Sequence, residues 1–278
     1  MEPSLDLALW ALAFTVLDWP ERRKAEAWAA LQAGVAPTLS PEQAGELARL
    51  AVDLPRRRQE ARDRGARLLL PGDPVEGPGL DALLAPLPYP VALWVRGTLP
   101  PARRRVAIVG SREASRRGRE RTLAWARALT EAGVAVLSGL ARGIDGAAHA
   151  GALEAGPTWG VLGSGLDHPY PPEHGPLMDR MVAAGGGVLT PFPPEAPPRK
   201  WHFPRRNWLL AAWTEGVLVM EARLKSGSLV TARLALDLGK ELWVVPGSEG
   251  PDALLEEGAA HACQGPGDVL AVLRALPR

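Results

Sequence analysis

The chain has 278 residues, of which 46% are hydrophobic and 23% charged, with a formal net charge of +1. That is enough chain for a full core and a globular rather than disordered composition, while so small a net charge leaves attraction for an acidic partner to local clustering. Cys263 is the only cysteine, which excludes an internal disulfide and a cysteine-cluster zinc site and fits a reducing cytoplasm.

At the N-terminus an apolar run is preceded or interrupted by Glu2 and Asp6 and followed by basic residues. This is the wrong order for a signal peptide, and the run is too short to span a membrane. Residues 4–19 read as a nearly all-round apolar helix stopped by Pro20, the buried helix of a small bundle. A second helix over 21–32 ends at Gly34. Ser40, Pro41 and Gln43 predict an N-cap, a proline at the first helical position and a capping box for a third helix running to about Leu54. A separate charged helical piece follows over 56–64 and closes at Gly65. Basic and acidic residues nearly balance here, so this helical unit, 1–65, is not an obvious nucleic-acid clamp; partner binding and simple packing both fit it. Proline and glycine crowd residues 71–101, with one short strand near 91–95, as a connector to the main unit.

From Arg105 onward strand and helix patterns alternate. Strands are expected at 105–110, 134–139, 158–164, 187–190, 216–221 and 241–246, with a short one at 260–264. This predicts an α/β fold with a doubly wound, mostly parallel sheet covered by helices on both faces, preceded by the small all-helical unit. The first strand, Val106 to Val109, is apolar at every position, as a strand buried on both faces requires.

In such a sheet the turns after the strands gather along one edge, where ligands bind. Four turns carry unusual chemistry. The first, after Gly110, offers Ser111, Arg112, Ser115, Arg116 and Arg117 to an anion, ahead of a helix starting near Gly118. In the second, Gly139 and Gly143 allow a tight strand-to-helix turn with Arg142 at its mouth. The third supplies Arg199, Lys200, Arg205 and Arg206 with no acidic neighbour, and Trp201 and Phe203 lie among them. Cations interleaved with aromatic faces suit single-stranded nucleic acid, whose phosphates need charge and whose bases need stacking partners; a solvated basic loop with buried aromatics has the same composition. The fourth, Ser226-Gly227-Ser228, opens a helix whose N-terminus can hold an anion, though an ordinary serine cap reads alike. Asp145 and His149, one helical turn apart, are read as structural, and no metal-ligand spacing is present.

Taken in order, VAIVGSR, SGLARGIDGAAH, VLGSGLDHPYP at 161–171, FPRRN at 203–207, EA followed by SGSLVTARLAL, and VVPG at 244–247 resemble the DNA-processing protein A (DprA, also called Smf) family, over about residues 66–273. The resemblance implies an extended Rossmann-like domain over 66–278, including a connector at 66–104, behind a sterile-alpha-motif-like (SAM-like) domain at 1–65. It also implies a homodimeric, cytoplasmic single-stranded DNA binder that protects incoming DNA and hands it to the RecA recombinase in natural transformation. No cofactor, metal, catalytic residue or membrane insertion comes with it. Carried onto this sequence, Arg112 and Lys200 would each hold a phosphate and Phe203 would stack on a base. Ser111, Asn207 and Ser226 to Ser228 would line the same pocket, and Gly110, Gly139, Arg142, Gly143, Arg205 and Arg206 complete the expected DNA-binding set.

The chain departs from the family pattern at Pro172-Glu173-His174, where an asparagine is common, and at Trp208, where an arginine often follows FPxRN. The winged-helix domain that ends many members is not expected in this chain. The competing reading is a nucleotide-hydrolysing enzyme of the lysine-decarboxylase-like Rossmann family, whose PGGxGTxxE stretch is missing. A nicotinamide-dependent dehydrogenase lacks support because GSREASRRG does not have the close GxGxxG spacing.

Overall fold

The computed structural model describes residues 6–17, 19–75, 87, 89–101 and 104–276. The expected start of the first helix at Ser4 and the middle of the proline-rich connector lie outside the described residues. Three helices come first: α1 (Leu7–Val16), α2 (Glu21–Gln32) and α3 (Pro41–Asp63). The capping box forms as read, with the Gln43 amide donating to Ser40 Oγ (3.2 Å) and the Ser40 amide to Gln43 Oε1 (3.0 Å). One expectation fails: α3 does not stop near Leu54 but runs through Pro55 as a single helix. A proline forfeits one backbone hydrogen bond. The buried stripe of Leu47, Leu50 and Ala61 continues across it, and Arg56 pairs with both Asp53 and Glu60 around it.

Among the described residues, the rest is built around one nine-stranded sheet. Its strands are β1 (Arg67–Leu69), β2 (Leu93–Gly97), β3 (Arg105–Val109), β4 (Ala135–Ser138), β5 (Thr158–Val161), β6 (Gly187–Thr190), β7 (Gly216–Val219), β8 (Glu241–Val244) and β9 (His261–Ala262). They lie in the order β1-β2-β6-β5-β4-β3-β7-β8-β9. Strands β3 to β9 pair in parallel, and β2 and β1 close one edge antiparallel. The helices after β3 are α4 (Arg116–Glu131), α5 (Ile144–Leu153), α6 (Gly175–Ala183), α7 (His202–Ala212), α8 (Gly227–Asp237), α9 (Glu249–Glu256) and α10 (Pro266–Ala275). This is the expected doubly wound, mostly parallel α/β fold; the antiparallel strand β1 was not foreseen.

Alternation along β3 divides the core. Val106 and Ile108 face a layer with Trp125 and Leu129 of α4, Ile144 and Ala148 of α5, and Val269 of α10. Ala107 and Val109 face the other layer, with Leu209 and Leu210 of α7 and Ala232 and Ala235 of α8. The N-terminal helices join that second layer. Trp10, Phe14 and Trp19 form an aromatic group, and Tyr89 packs edge-on to Phe14 at 5.5 Å between ring centres. Trp208 of α7 reaches the same group, 6.4 Å from the Tyr89 ring. The large side chain at that position thus fills the seam between helical unit and sheet.

Winding reverses beside β3. From β3 the chain steps through β4 and β5 to β6 on one side, then crosses back to lay β7 and β8 on the other. The carboxyl ends of β3 and β7 therefore flank the crevice where open α/β sheets bind ligands.

Candidate functional site

The crevice is built by backbone meeting backbone. The Ser111 amide donates to the carbonyl of Glu221 (2.7 Å), tying the turn after β3 to the turn after β7, and the Ile144 amide donates to the Ser111 carbonyl (3.1 Å). Such approach leaves no room for side chains. A Cβ on Gly110 would lie 2.5 Å from Ile144 and 2.8 Å from the Glu221 carbonyl, and one on Gly143 would lie 2.2 Å from the Ser111 carbonyl. Gly143 also has φ +73°, a region that suits glycine.

Glu221, the acid closing the apolar run of β7, fastens the neighbouring helix. Its carboxylate accepts from the Ser115 amide (2.9 Å) and from Ser115 Oγ (2.6 Å). Ser115 Oγ in turn accepts from the Gly118 amide at the start of α4. Here the N-cap serine is itself held in place.

Between these turns opens a cavity of about 420 Å³. Gly110, Ser111 and Arg112 line one side, Gly139 and Asp145 the floor, and Phe203, Arg206 and Asn207 of α7 another wall. Ser226, Gly227 and Ser228, at the start of α8, complete it. The Ser226 and Ser228 hydroxyls are 2.8 Å apart, and the Asn207 side-chain amide donates to the Gly227 carbonyl (3.3 Å), joining α7 to the start of α8. Arg112 is exposed and carries its guanidinium 5.3 Å from the centre of the half-buried Phe203 ring, a cation–π arrangement at the mouth.

A second cavity of about 210 Å³ adjoins it, shared by Arg112 and Phe203 and walled by Arg142, Tyr170 and Pro171. The Tyr170 ring lies 5.8 Å from that of Phe203, so two aromatic faces stand beside one arginine. Arg142 pairs with Glu173, which holds that carboxylate below its usual range. His174 Nδ1 lies 2.9 Å from the Leu140 carbonyl. The segment that departs from the family pattern thus braces the turn after β4.

The two adjacent arginines of FPRRN part company, because this stretch is the opening of helix α7 rather than a loop and consecutive helical residues diverge by about 100°. Arg206 is buried. It donates to the carbonyls of Gly139 and Val161 (the latter 2.7 Å) and to Asn207 Oδ1 (3.0 Å), and burial pulls its pKa down to about 10. Its charge acts on Asp145, whose carboxylate accepts from the Gly139 (3.1 Å) and Ala141 (3.3 Å) amides and whose pKa burial raises. Arg205 turns the other way and donates to the Phe14 carbonyl (3.0 Å) at the end of α1. Lys200 stands exposed before α7 and lines neither cavity. His149 is read correctly as structural: its Nδ1 lies 2.9 Å from Thr158 Oγ1, and burial pushes its pKa down to about 3.

Of the fourteen positions expected to hold the ligand, ten meet in the larger cavity and Arg142 in the smaller; Gly143 lies behind the turn, and Lys200 and Arg205 lie apart. Sequence reasoning passed over Tyr170, Lys225 and Arg223, which also border the cavities. Arg223 pairs with Glu113 across the rim (3.3 Å). A tyrosine beside a proline-rich turn and two cations flanking a small-residue run were the available signals.

Fold and crevice together define a doubly wound α/β protein whose switch-point cleft offers backbone amides, hydroxyls, an exposed arginine and aromatic faces, a set suited to an anionic ligand with planar groups. The chain belongs to the DNA recombination-mediator protein A family, whose model matches residues 82–274. It is 44% identical over 185 residues to Protein Smf of Escherichia coli, covering 64% of this chain and half the length of that relative. The X-ray structure of DNA processing protein A from Streptococcus pneumoniae superposes with a TM-score of 0.70 at 29% identity, covering 98% of each chain. The Helicobacter pylori protein, described for its single-stranded DNA binding mode, superposes at 0.66 and 28% identity, over 76% of this chain and 96% of that one. Among the described residues, no helix is long and apolar enough to cross a membrane.

Proposed function

We propose that the chain binds single-stranded DNA in the cleft between the ends of β3 and β7 and acts, without catalysis of its own, as a recombination mediator. The observation that carries this reading is Arg112 poised 5.3 Å over the Phe203 ring at the mouth of a cavity lined by glycines and serines. A phosphate meets Arg112, the Ser111 and Ser226–Ser228 hydroxyls and the start of α8, while an unstacked base meets Phe203. A duplex hides its base faces and gains only the charge. Lys200, at the start of α7, meets the strand as it leaves the cavity.

The hand-over to RecA in natural transformation, the homodimer and the cytoplasmic setting are inferred from the family resemblance. So is the division into a helical unit, 1–65, and an extended Rossmann unit, 66–278; the shared aromatic seam leads us to treat them as one working body. The test is binding of fluorescent oligothymidylate beside a duplex of equal length. Single strands should bind more tightly, and Arg112→Ala should weaken binding by about 1–3 kcal/mol and flatten its salt dependence. Equal or stronger duplex affinity would overturn the reading.

A further inference from the structure

Helix α7 has a second working side. Trp201, its N-cap residue, makes no side-chain capping bond, and Phe203 follows two positions on, about 200° around a helix. Phe203 faces the cleft. Trp201 instead borders a third cavity of about 540 Å³, between the α1–α2 corner and residues 192–205. Trp201 is 52% exposed, an unusual state for so large an apolar residue, and its ring stands edge-on to Phe192 and His202, whose rings stack 3.8 Å apart.

Three cations reach this cavity: Lys24, Arg199 and Arg205. Arg199 is exposed at the rim, and Arg205 lies over the Phe192 ring with its Nε buried and unpartnered. Of the two acids there, Glu21 already accepts from Lys24 and Tyr89, and Glu195 is exposed. An aromatic platform ringed by cations is what a nucleotide needs. Helix α7, with the exposed Lys200 just ahead of it, lies between this cavity and the proposed cleft.

We propose that the third cavity takes a further nucleotide of the same single strand, its base on the exposed face of Trp201 and its phosphate between Lys200 and Arg199. This rests on the strand being held at Arg112 and Phe203. The strand then crosses the start of α7, and the helical unit supplies the far wall of its path.

The test is fluorescence anisotropy with oligothymidylates of increasing length on the full chain and on Trp201→Ala, Trp201→Phe, Arg199→Ala and Arg112→Ala. The positions are exposed, and unchanged thermal melts verify the fold. Trp201→Ala should lose on the order of tenfold affinity for strands long enough to cross α7 and nothing for the shortest. Trp201→Phe should keep most of that affinity, Arg199→Ala should lose a few-fold for long strands only, and Arg112→Ala should lose affinity at every length. Wild-type affinity of Trp201→Ala at all lengths, with Arg112→Ala impaired, would overturn this inference alone, as would an equal loss at all lengths. That first pattern is also expected if a protein segment, not DNA, occupies the cavity. Failure of the wild-type chain to bind any single strand would overturn the cleft reading as well.

Discussion

Arg206→Met removes a guanidinium that the sequence presents as a DNA contact and the structure spends on the protein itself. Methionine is long and apolar enough to fill the stem's space, so the change isolates the head group. It strips donors from the carbonyls of Gly139 and Val161 and the positive neighbour from buried Asp145. Unpaired buried acceptors cost about 1–3 kcal/mol each, and breaking a buried charge pair costs about 3–5 kcal/mol. These terms overlap, so a net loss of about 4 kcal/mol is expected, against a usual total near 5–15 kcal/mol. Urea unfolding followed by tryptophan fluorescence reads it. Asp145→Asn, which keeps an oxygen for the Gly139 and Ala141 amides, should recover part of the loss in the Arg206→Met background, since contacting residues couple by about 0.5–3 kcal/mol. A loss below about 1 kcal/mol, or the same cost for Asp145→Asn in both backgrounds, would refute the reasoning.

Two other outcomes follow from the same geometry. Glu221→Ala frees Ser115 and should cost about 1–2 kcal/mol of stability, the scale of a lost helix cap. It should also lower affinity for oligothymidylate, although deleting an acid beside an anion site would by charge alone raise it; a rise in affinity would show that the carboxylate does not position the turn. Acid stability should decline below pH 6.5, because His149 and His202 are held neutral in the fold, with pKa values pushed by burial to about 3 and about 4. The unfolded chain takes up those protons first, so stability falls as pH drops from about 6.5 towards these folded values. Between pH 6.5 and 5, where exposed carboxylates stay ionised, His149→Gln should remove about half of the slope, His202 supplying the other half; an unchanged slope would sink the assignment.

The parallel strands were legible because burial on both faces forces unbroken apolar runs, and six of them were read in place from Val106 to Val244. Strand β1 escaped because Arg67–Leu69 has three residues and opens on an arginine, too little for any period to register. Pro55 misled because local propensity argues for a break, whereas a buried stripe on both sides of it carries α3 through. In the cleft, small residues and cations could be picked out as types, but their direction could not. Arg205 and Arg206 are chemically equivalent in the sequence, and only the helical rotation of α7 sends one to Phe14 and the other to Gly139. Glu221 stands in the sequence only as the acid of the EA in the family pattern and receives no role there, because an acid among basic turns suggests no anion contact; its partner, Ser115, lies 106 residues earlier in the chain.

The glycine-to-backbone contacts that lock the turns after β3, β4 and β7 have an entropic consequence. A cleft whose turns are tied main chain to main chain has little backbone shape left to choose on binding, so much of the ordering falls to the ligand. A limp strand that stacks poorly on itself gives up least in conforming to such a mould, whereas a strand already wound on its own bases must first be unwound. For the single strand proposed as ligand, the rigidity that serves packing would therefore also sort partners by their pliancy, before any base is recognised.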